Sequence, residues 1–241
     1  MTKNTPNTTT TKTFLTAPPF QTFAKPPRIL IIGAGSRGTS YAHFIRTCSN
    51  ASIVSICEPD SHKNSAFGSK YIWGASNVPA FGQSFTSWEE WVSYEKERRE
   101  SAKTGKGLTG ASGFKSVIVD AVFVCVLDEL HEKVVRGIVE GLGGGISICV
   151  EKPLSVSLTS CISMYNALEN AKRDGDGEEE KKESVFGICH VLRYSPHNML
   201  LRQLVLEDEV AGEVMSVEHV EPVGWWHFSH SYVRSVRLGC F

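Results

Sequence analysis

The sequence predicts an α/β chain built on a doubly wound parallel sheet, followed by the start of an incomplete α+β second domain. Three observations carry this. Short continuous apolar runs (RILIIG, ASIVSIC, VIVDAVFVCVL, ISICV and SVFGICHVL) read as strands buried on both faces. Segments with helical spacing separate them from Arg28 to about Arg193. That alternation gives parallel strands joined by right-handed crossovers. The first strand closes on GAGSRG, Gly33 to Gly38, where a helix opens.

Each element has its own reason. SRGTSYAHFIRT places Tyr41, Phe44 and Ile45 on one helical face. The second strand, ASIVSICEPD, is stopped at Pro59, and a weakly helical stretch runs from His62 to Tyr71. In TSWEEWV, Ser87 and Glu90 stand at capping-box spacing, so a helix starts there. HEKVVRGIVEGL sets Val134, Val135, Ile138, Val139 and Leu142 on one face and ends in glycines from Gly143, which supply left-handed capping angles. LSVSLTSCISMYNALENA carries Leu158, Cys161, Ile162, Tyr165 and Leu168 on one face. SPHNMLLRQLVLEDEVAG reads as a helix with Leu201, Leu204 and Val205 inward, ending at Gly212, and EVMSVEHVEPVGWW as the start of a strand. Residues 93–113 and 172–183 mix charge with glycine and read as exposed loops.

Composition removes several function classes. The chain has 241 residues, with 25 Lys and Arg against 26 Asp and Glu. Without a basic excess, neither nucleic acid nor an anionic membrane is expected as a partner. The apolar runs, such as VFVCVL from Val122 to Leu127, are strand-length and too short to span a bilayer. The seven cysteines form no C-x-x-C pair, and Cys57, Cys125, Cys149 and Cys189 lie within strand-like runs. Free thiols there behave as small hydrophobes, and the odd count suits a reducing compartment. His227 and His230 are suggestive by spacing but have no identifiable third ligand, so no metal site is expected. Residues 1–27, rich in Thr, Asn and Pro without a signal-peptide core, read as a disordered leader on a cytoplasmic protein.

GAGSRG meets the context that makes such a motif informative. It ends a buried strand, opens a helix, and is followed twenty residues past Gly38 by Glu58 at the end of the second strand. Gly33 makes the tight turn, Gly35 lets the backbone approach a pyrophosphate, and Gly38 lets helix and strand pack closely. The amides at the helix start, with Ser36 and Arg37, face the phosphates. Glu58 would accept hydrogen bonds from ribose hydroxyls and repel a 2′-phosphate, so NAD is expected, with NADP the alternative. Arg37 and Lys63 are the counter-evidence, because either could reach a 2′-phosphate.

GAGSRG, CEPD, VDAVFVCVLDELH, CVEKPLS and GICHVLRYSP occur in this order. In this the chain resembles the glucose-fructose oxidoreductase / inositol dehydrogenase / rhizopine-catabolism (Gfo/Idh/MocA) family, from about Arg28 to Arg234. The resemblance implies a Rossmann dinucleotide-binding domain over 28–193 and the beginning of a substrate and oligomerisation domain over 194–241. It implies hydride transfer between NAD(P) and a hydroxyl carbon of a sugar, polyol or related compound. It makes Lys152 the catalytic group, partly desolvated between nicotinamide and substrate and suited to proton transfer. Glu151 orients its surroundings, and Pro153 fixes the turn through a cis peptide.

His131 matches the histidine that closes the family's fourth-strand motif. Leu127-Asp128 stands where the family has Pro-Asn. Nicotinamide-side contact, an N-cap role for Asp128 and a supporting role for His131 therefore stay open. Arg193 and Tyr194 match an Arg-aromatic pair that lines the cleft, with packing between domains as the alternative. Family members associate as homo-oligomers and continue well beyond this length, and SVRLGCF does not resemble their continuation. The expectation is a C-terminally truncated form with an incomplete pocket. Its apolar residues Val214, Val217, Val220, Trp225, Trp226 and Phe228 would be left on an exposed strand. A non-catalytic NAD(P)-binding regulator or interaction module is the alternative function.

Overall fold

Six parallel strands form one sheet in the order β3-β2-β1-β4-β5-β6. They are β1 (Arg28–Ile32), β2 (Ser52–Cys57), β3 (Ser84–Phe85), β4 (Ala121–Val124), β5 (Ser147–Val150) and β6 (Phe186–Ile188). The helices between them are α1 (Ser36–Cys48), α2 (Ser61–Tyr71), α3 (Trp88–Lys103), α4 (His131–Leu142) and α5 (Leu158–Arg173). The structure, a computed structural model, describes residues 20–75, 77–105, 116–173, 184–220 and 222. The leader up to residue 19, residues 106–113 and 174–183 of the two charged segments, Trp225, Trp226, His227, Phe228, His230 and the final SVRLGCF lie outside the described residues, whereas residues 93–103, expected as exposed loop, continue α3 with Tyr94 and Glu95 buried.

The order places β1 between β2 and β4, so the chain reverses direction across the sheet after β3. β1 explains how both faces are sealed. Leu30 and Ile32 enter one core, with Trp91 and Val92 of α3, Val134, Val135, Ile138 and Val139 of α4, and Met164 of α5. Ile29 and Ile31 enter the other, with Ala42 of α1, Phe67 of α2 and Trp73. Alternate residues thus supply opposite layers, which is why the strand reads as a continuous apolar run. Arg28 clamps β1 to the residue before β4 through a two-pronged pair with Asp120, at 2.8 and 3.0 Å.

Helix ends follow their local chemistry. Asp60 caps α2 by accepting from His62 N–H and Lys63 N–H, at 3.0 and 3.1 Å. Ser87 caps α3 by accepting from Glu90 N–H at 3.1 Å, as the spacing predicts. The returning Glu90 carboxylate takes the Thr86 N–H at 2.7 Å, one residue earlier than an ideal box. α4 stops at Gly143, whose φ of 66° is left-handed and whose N–H reaches Val139 O.

Several expectations need correction. On α1, Phe44 is exposed, while Gly38 and Ala42 are the buried positions. On α5 the apolar stripe of Leu158, Ile162 and Tyr165 is exposed. Leu168 of the predicted face does pack on the core, together with Met164, Ala167 and Ala171. Residues 20–27, placed in the leader by composition, are tied to the α1–β2 turn. Gln21 N–H reaches Cys48 O at 2.8 Å, and Phe23 and Asn50 exchange two hydrogen bonds of 2.9 Å.

Thr16–Arg193 forms one compact unit, and Tyr194 onward belongs to a second. In the second unit a short helix, α6 (Pro196–Arg202), opens on a proline and widens into a π-type turn over Gln203–Glu207. The predicted strand after Gly212 is not formed over residues 213–220, where Val214, Met215, Val217 and Val220 are exposed and irregular. A strand needs a partner for its backbone, and none pairs with this one among the described residues.

Candidate functional site

The site gathers where β1, β2, β4 and β5 end, at the point where connections leave β1 and β4 toward opposite edges of the sheet. Open α/β sheets bind ligands at such a point. Gly33 turns there with φ of 99°, and its N–H reaches Cys57 O at 2.9 Å. A side chain at Gly33 would begin 2.5 Å from the Cys125 carbonyl oxygen, and one at Gly38 2.0 Å from the Gly33 carbonyl oxygen. Gly35 differs. It stands at the N-cap of α1 in extended geometry, and nothing lies within 4 Å of where its side chain would start. Gly35, Ser36 and Arg37 are exposed. No side chain caps this helix, and its first turn holds no acidic residue. The start of a thirteen-residue helix is therefore open to an anion.

Glu58 is buried beside this opening. Ala34 N–H donates to one of its oxygens at 2.8 Å and Asp60 N–H to the other at 3.1 Å. Each oxygen keeps a second lone pair for another donor. Lys63 lies 3.9 Å from Asp60 on the same rim.

At the end of β5, Glu151 is also buried. Its own N–H continues the ladder to Val124 O at 3.0 Å, and one carboxylate oxygen accepts the Lys152 N–H at 3.1 Å. The other accepts the Tyr41 hydroxyl in a short hydrogen bond. Tyr41 reaches across from α1, with its ring 5.4 Å from that of Phe123 on β4. Burial first, then hydrogen bonding with Cys189 and Glu151, pushes the Tyr41 hydroxyl well above the ordinary phenol range. The sequence reading placed Tyr41 on an apolar helical face. Only the sheet order, which brings α1 over the ends of β4 and β5, reveals its polar tip at work.

The Lys152–Pro153 peptide is cis, as expected. Lys152 itself is exposed, whereas the sequence reading had it partly desolvated. It directly follows the buried Glu151 at the end of β5. His131 is fully buried. Its Nδ1 lies 3.0 and 3.2 Å from the carbonyl oxygens of Pro153 and Leu154, and its Nε2 lies 3.3 Å from that of Val126. Carbonyls only accept, so the ring N–H donates in any of these bonds. A neutral imidazole carries one N–H, so the ring donates either to the Pro153 and Leu154 carbonyls or to that of Val126, while lying against both turns. Asp128 opens the short 3₁₀ turn Asp128–Leu130 and is half-buried, and α4 is capped at Leu130 with no side-chain bond. The N-cap role for Asp128 is therefore absent. Arg193 is exposed in the 3₁₀ turn after β6, where its N–H reaches His190 O at 3.0 Å.

Residues 27–174 match the oxidoreductase family with an NAD-binding Rossmann fold designated GFO_IDH_MocA. The chain belongs to this family. Among solved structures, myo-inositol 2-dehydrogenase from Lactobacillus plantarum is similar, at 16% identity and a TM-score of 0.56, over 79% of this chain and 43% of that one. Scyllo-inositol dehydrogenase from Lactobacillus casei, with bound NAD(H) and scyllo-inositol, gives 14% and 0.56 over 77% and 42%. The WlbA dehydrogenase from Bordetella pertussis, in complex with NADH and UDP-GlcNAcA, gives 12% and 0.52 over 76% and 40%. At these identities the likeness is one of fold. The chain spans less than half the length of these structures. No curated protein matches it.

NAD is the cofactor of this Gfo/Idh/MocA domain, and the residues fit it. The open cradle at Gly35 and the uncapped start of α1 suit a pyrophosphate, and Glu58 suits ribose hydroxyls. A cavity of about 510 Å³ lies at the other end of β2, lined by Arg46, Ser52, Lys70 and Trp73. It is far from these groups along the strand and shares none of them. Among the described residues no helix is long and apolar enough to cross a membrane, and no three His, Cys, Asp or Glu side chains are grouped to hold a metal.

Proposed function

We propose that this chain carries the nucleotide-binding half of a nicotinamide-dependent oxidoreductase acting at a hydroxyl carbon of a sugar, polyol or related compound. The observation that carries this is the open start of α1 at Gly35 beside the buried Glu58. Residues 28–193 are the dinucleotide domain in this reading, and 194–241 begin the substrate and oligomerisation domain. NAD, when bound, supplies the hydride acceptor. The protein's own task is to position the hydroxyl compound and take its proton.

Lys152 takes that proton. Glu151 holds the Lys152 main chain through its 3.1 Å hydrogen bond, and Tyr41 secures the opposite carboxylate oxygen. His131 braces the same turn through the Pro153 and Leu154 carbonyls, which is a positioning role. Arg193 belongs to the wall of the cleft. Lys152 and Arg193 are both exposed in this chain. An ammonium in open water lacks the dry, preorganised setting that speeds proton transfer. This chain alone is therefore expected to bind NADH and to turn over little substrate.

The test is a fluorescence titration with NADH and NADPH, beside a Gly35→Asp variant. Saturable NADH binding, tighter than NADPH and lost in the variant, is the expected result. Absence of binding by a folded, soluble chain, or undiminished binding by Gly35→Asp, would overturn the reading.

A further inference from the structure

Three thiols, a phenol and a carboxylate meet beside the turn that carries Lys152, and the oxidoreductase reading uses only the last two. Cys149 lies on β5, in register with Gly187 of β6. Cys189 follows β6, and its N–H extends the ladder to Val150 O at 2.8 Å. Two residues apart along β6, Gly187 and Cys189 share the face on which Cys149 projects. The glycine leaves that face open, since a side chain there would start 3.9 Å from the Cys149 sulfur. The two sulfurs stand 3.2 Å apart. Both residues are half-buried, within reach of a small solute.

We propose that Cys149 and Cys189 form a redox-modification site, a dithiol that a hydroperoxide closes to a reversible disulfide. Closure brings the sulfurs from 3.2 Å to a bonded separation of about 2.05 Å, a movement that side-chain rotation and a small shift of an edge strand can supply.

The surroundings divide the roles. Cys189 is the nucleophile. The hydrogen bond with Cys149 holds its thiol below the ordinary range, at about 7, against burial and the Glu151 charge. Cys149 is pushed up, by its hydrogen bond with Cys189 and by burial, and stays protonated. Cys125, the third thiol, is pushed up chiefly by burial and is inert.

The chemistry balances. The Cys189 thiolate attacks one oxygen of hydrogen peroxide, the O–O bond breaks, and hydroxide leaves and takes a proton to become water. Cys189 is then a sulfenic acid. The Cys149 sulfur loses its proton and attacks the Cys189 sulfur, the S–O bond breaks, and a second water departs as the S–S bond forms. Two thiols lose two electrons and two protons, and one peroxide becomes two waters. A dithiol reduces the bond again.

The test uses the full chain, reduced and freed of reductant. It is treated with one equivalent of hydrogen peroxide, quenched in acid, alkylated under denaturing conditions and cleaved after glutamate. That cleavage puts Cys149 in the peptide 141–151 and Cys189 in 184–207, away from Cys161. The expected product is those two peptides joined, lighter by two hydrogens than the sum of the free thiols. It should be reversed by dithiothreitol and missing in Cys189→Ser. The same treatment in urea should scatter cross-links among the cysteines. Peroxide that oxidises the exposed Cys48 while both Cys149 and Cys189 remain alkylatable would overturn the proposal. So would a 149–189 link formed equally well in urea. Both readouts use the wild-type chain, so an unstable variant does not blunt them.

Discussion

The three glycines of GAGSRG offer one perturbation with opposite outcomes at neighbouring positions. Gly38→Ala starts a side chain 2.0 Å from the Gly33 carbonyl oxygen and 3.1 Å from Ile31 Cγ2. The oxygen belongs to backbone, so α1 must back away from β1 by more than about 1 Å to restore normal contact, and overpacking of that kind costs about 3 kcal/mol. Gly35→Ala meets nothing within 4 Å, and its φ of −70° is ordinary for alanine. Replacing glycine at a compatible angle restricts the unfolded chain, so this variant should be as stable as wild type or more stable by about 0.5 kcal/mol. Its methyl group nevertheless stands where a pyrophosphate must approach. NADH affinity should fall about tenfold, equivalent to about 1.4 kcal/mol. Urea unfolding followed by tryptophan fluorescence measures the first quantity, and NADH titration the second. The reasoning fails if Gly35→Ala is destabilised as much as Gly38→Ala, or if it binds NADH as the wild type does.

Other perturbations address the remaining parts of the structure. Met164→Ala, at a fully buried position on α5, should cost about 3 kcal/mol in urea unfolding. Ile162→Ser, on the exposed stripe of the same helix, should change stability by no more than about 0.5 kcal/mol. Removing the buried ring in His131→Ala leaves a cavity and takes away the N–H that the ring donates to a main-chain carbonyl, so stability should fall by about 3 kcal/mol in the same assay. The Cys189 thiol is held below its ordinary range, so its thiolate gains over the unfolded chain as pH rises through about 7, and iodoacetamide should modify it with a midpoint near that value. Its stabilising contribution is present at higher pH and is lost as pH falls through the folded value. A midpoint near that of a free thiol, by mass spectrometry of the 184–207 peptide, would contradict the hydrogen bonding described for it.

The parallel sheet was legible because its strands are buried on both faces. A run such as RILII is then apolar at every position, and the glycine after it marks the turn. Glu58 was legible too, because a fixed interval separates it from GAGSRG. Other features depend on what the chain packs against. α5 has apolar residues on more than one side, and only the packing decides which are covered. Of the face predicted by spacing, Leu158, Ile162 and Tyr165 are exposed while Leu168 is covered. Tyr41 and Glu151 are 110 positions apart, so no local pattern could join them. The segment after Gly212 alternates in polarity in part, which suggests a strand, yet such a pattern supplies no hydrogen-bonding partner. The closeness of Cys149 and Cys189 likewise depends on the pairing of β5 with β6, which neither segment encodes alone.

Glu58 carries one more consequence. Its carboxylate is gripped by two main-chain N–H groups, one from the glycine turn and one from the start of α2's cap. A free surface glutamate sweeps through many rotamers, and freezing such a side chain on association costs about 0.5 to 1.5 kcal/mol. Here folding has already stopped that motion. A ligand that hydrogen-bonds Glu58 meets a stationary acceptor, and the energy of that bond goes into affinity instead of into ordering the protein.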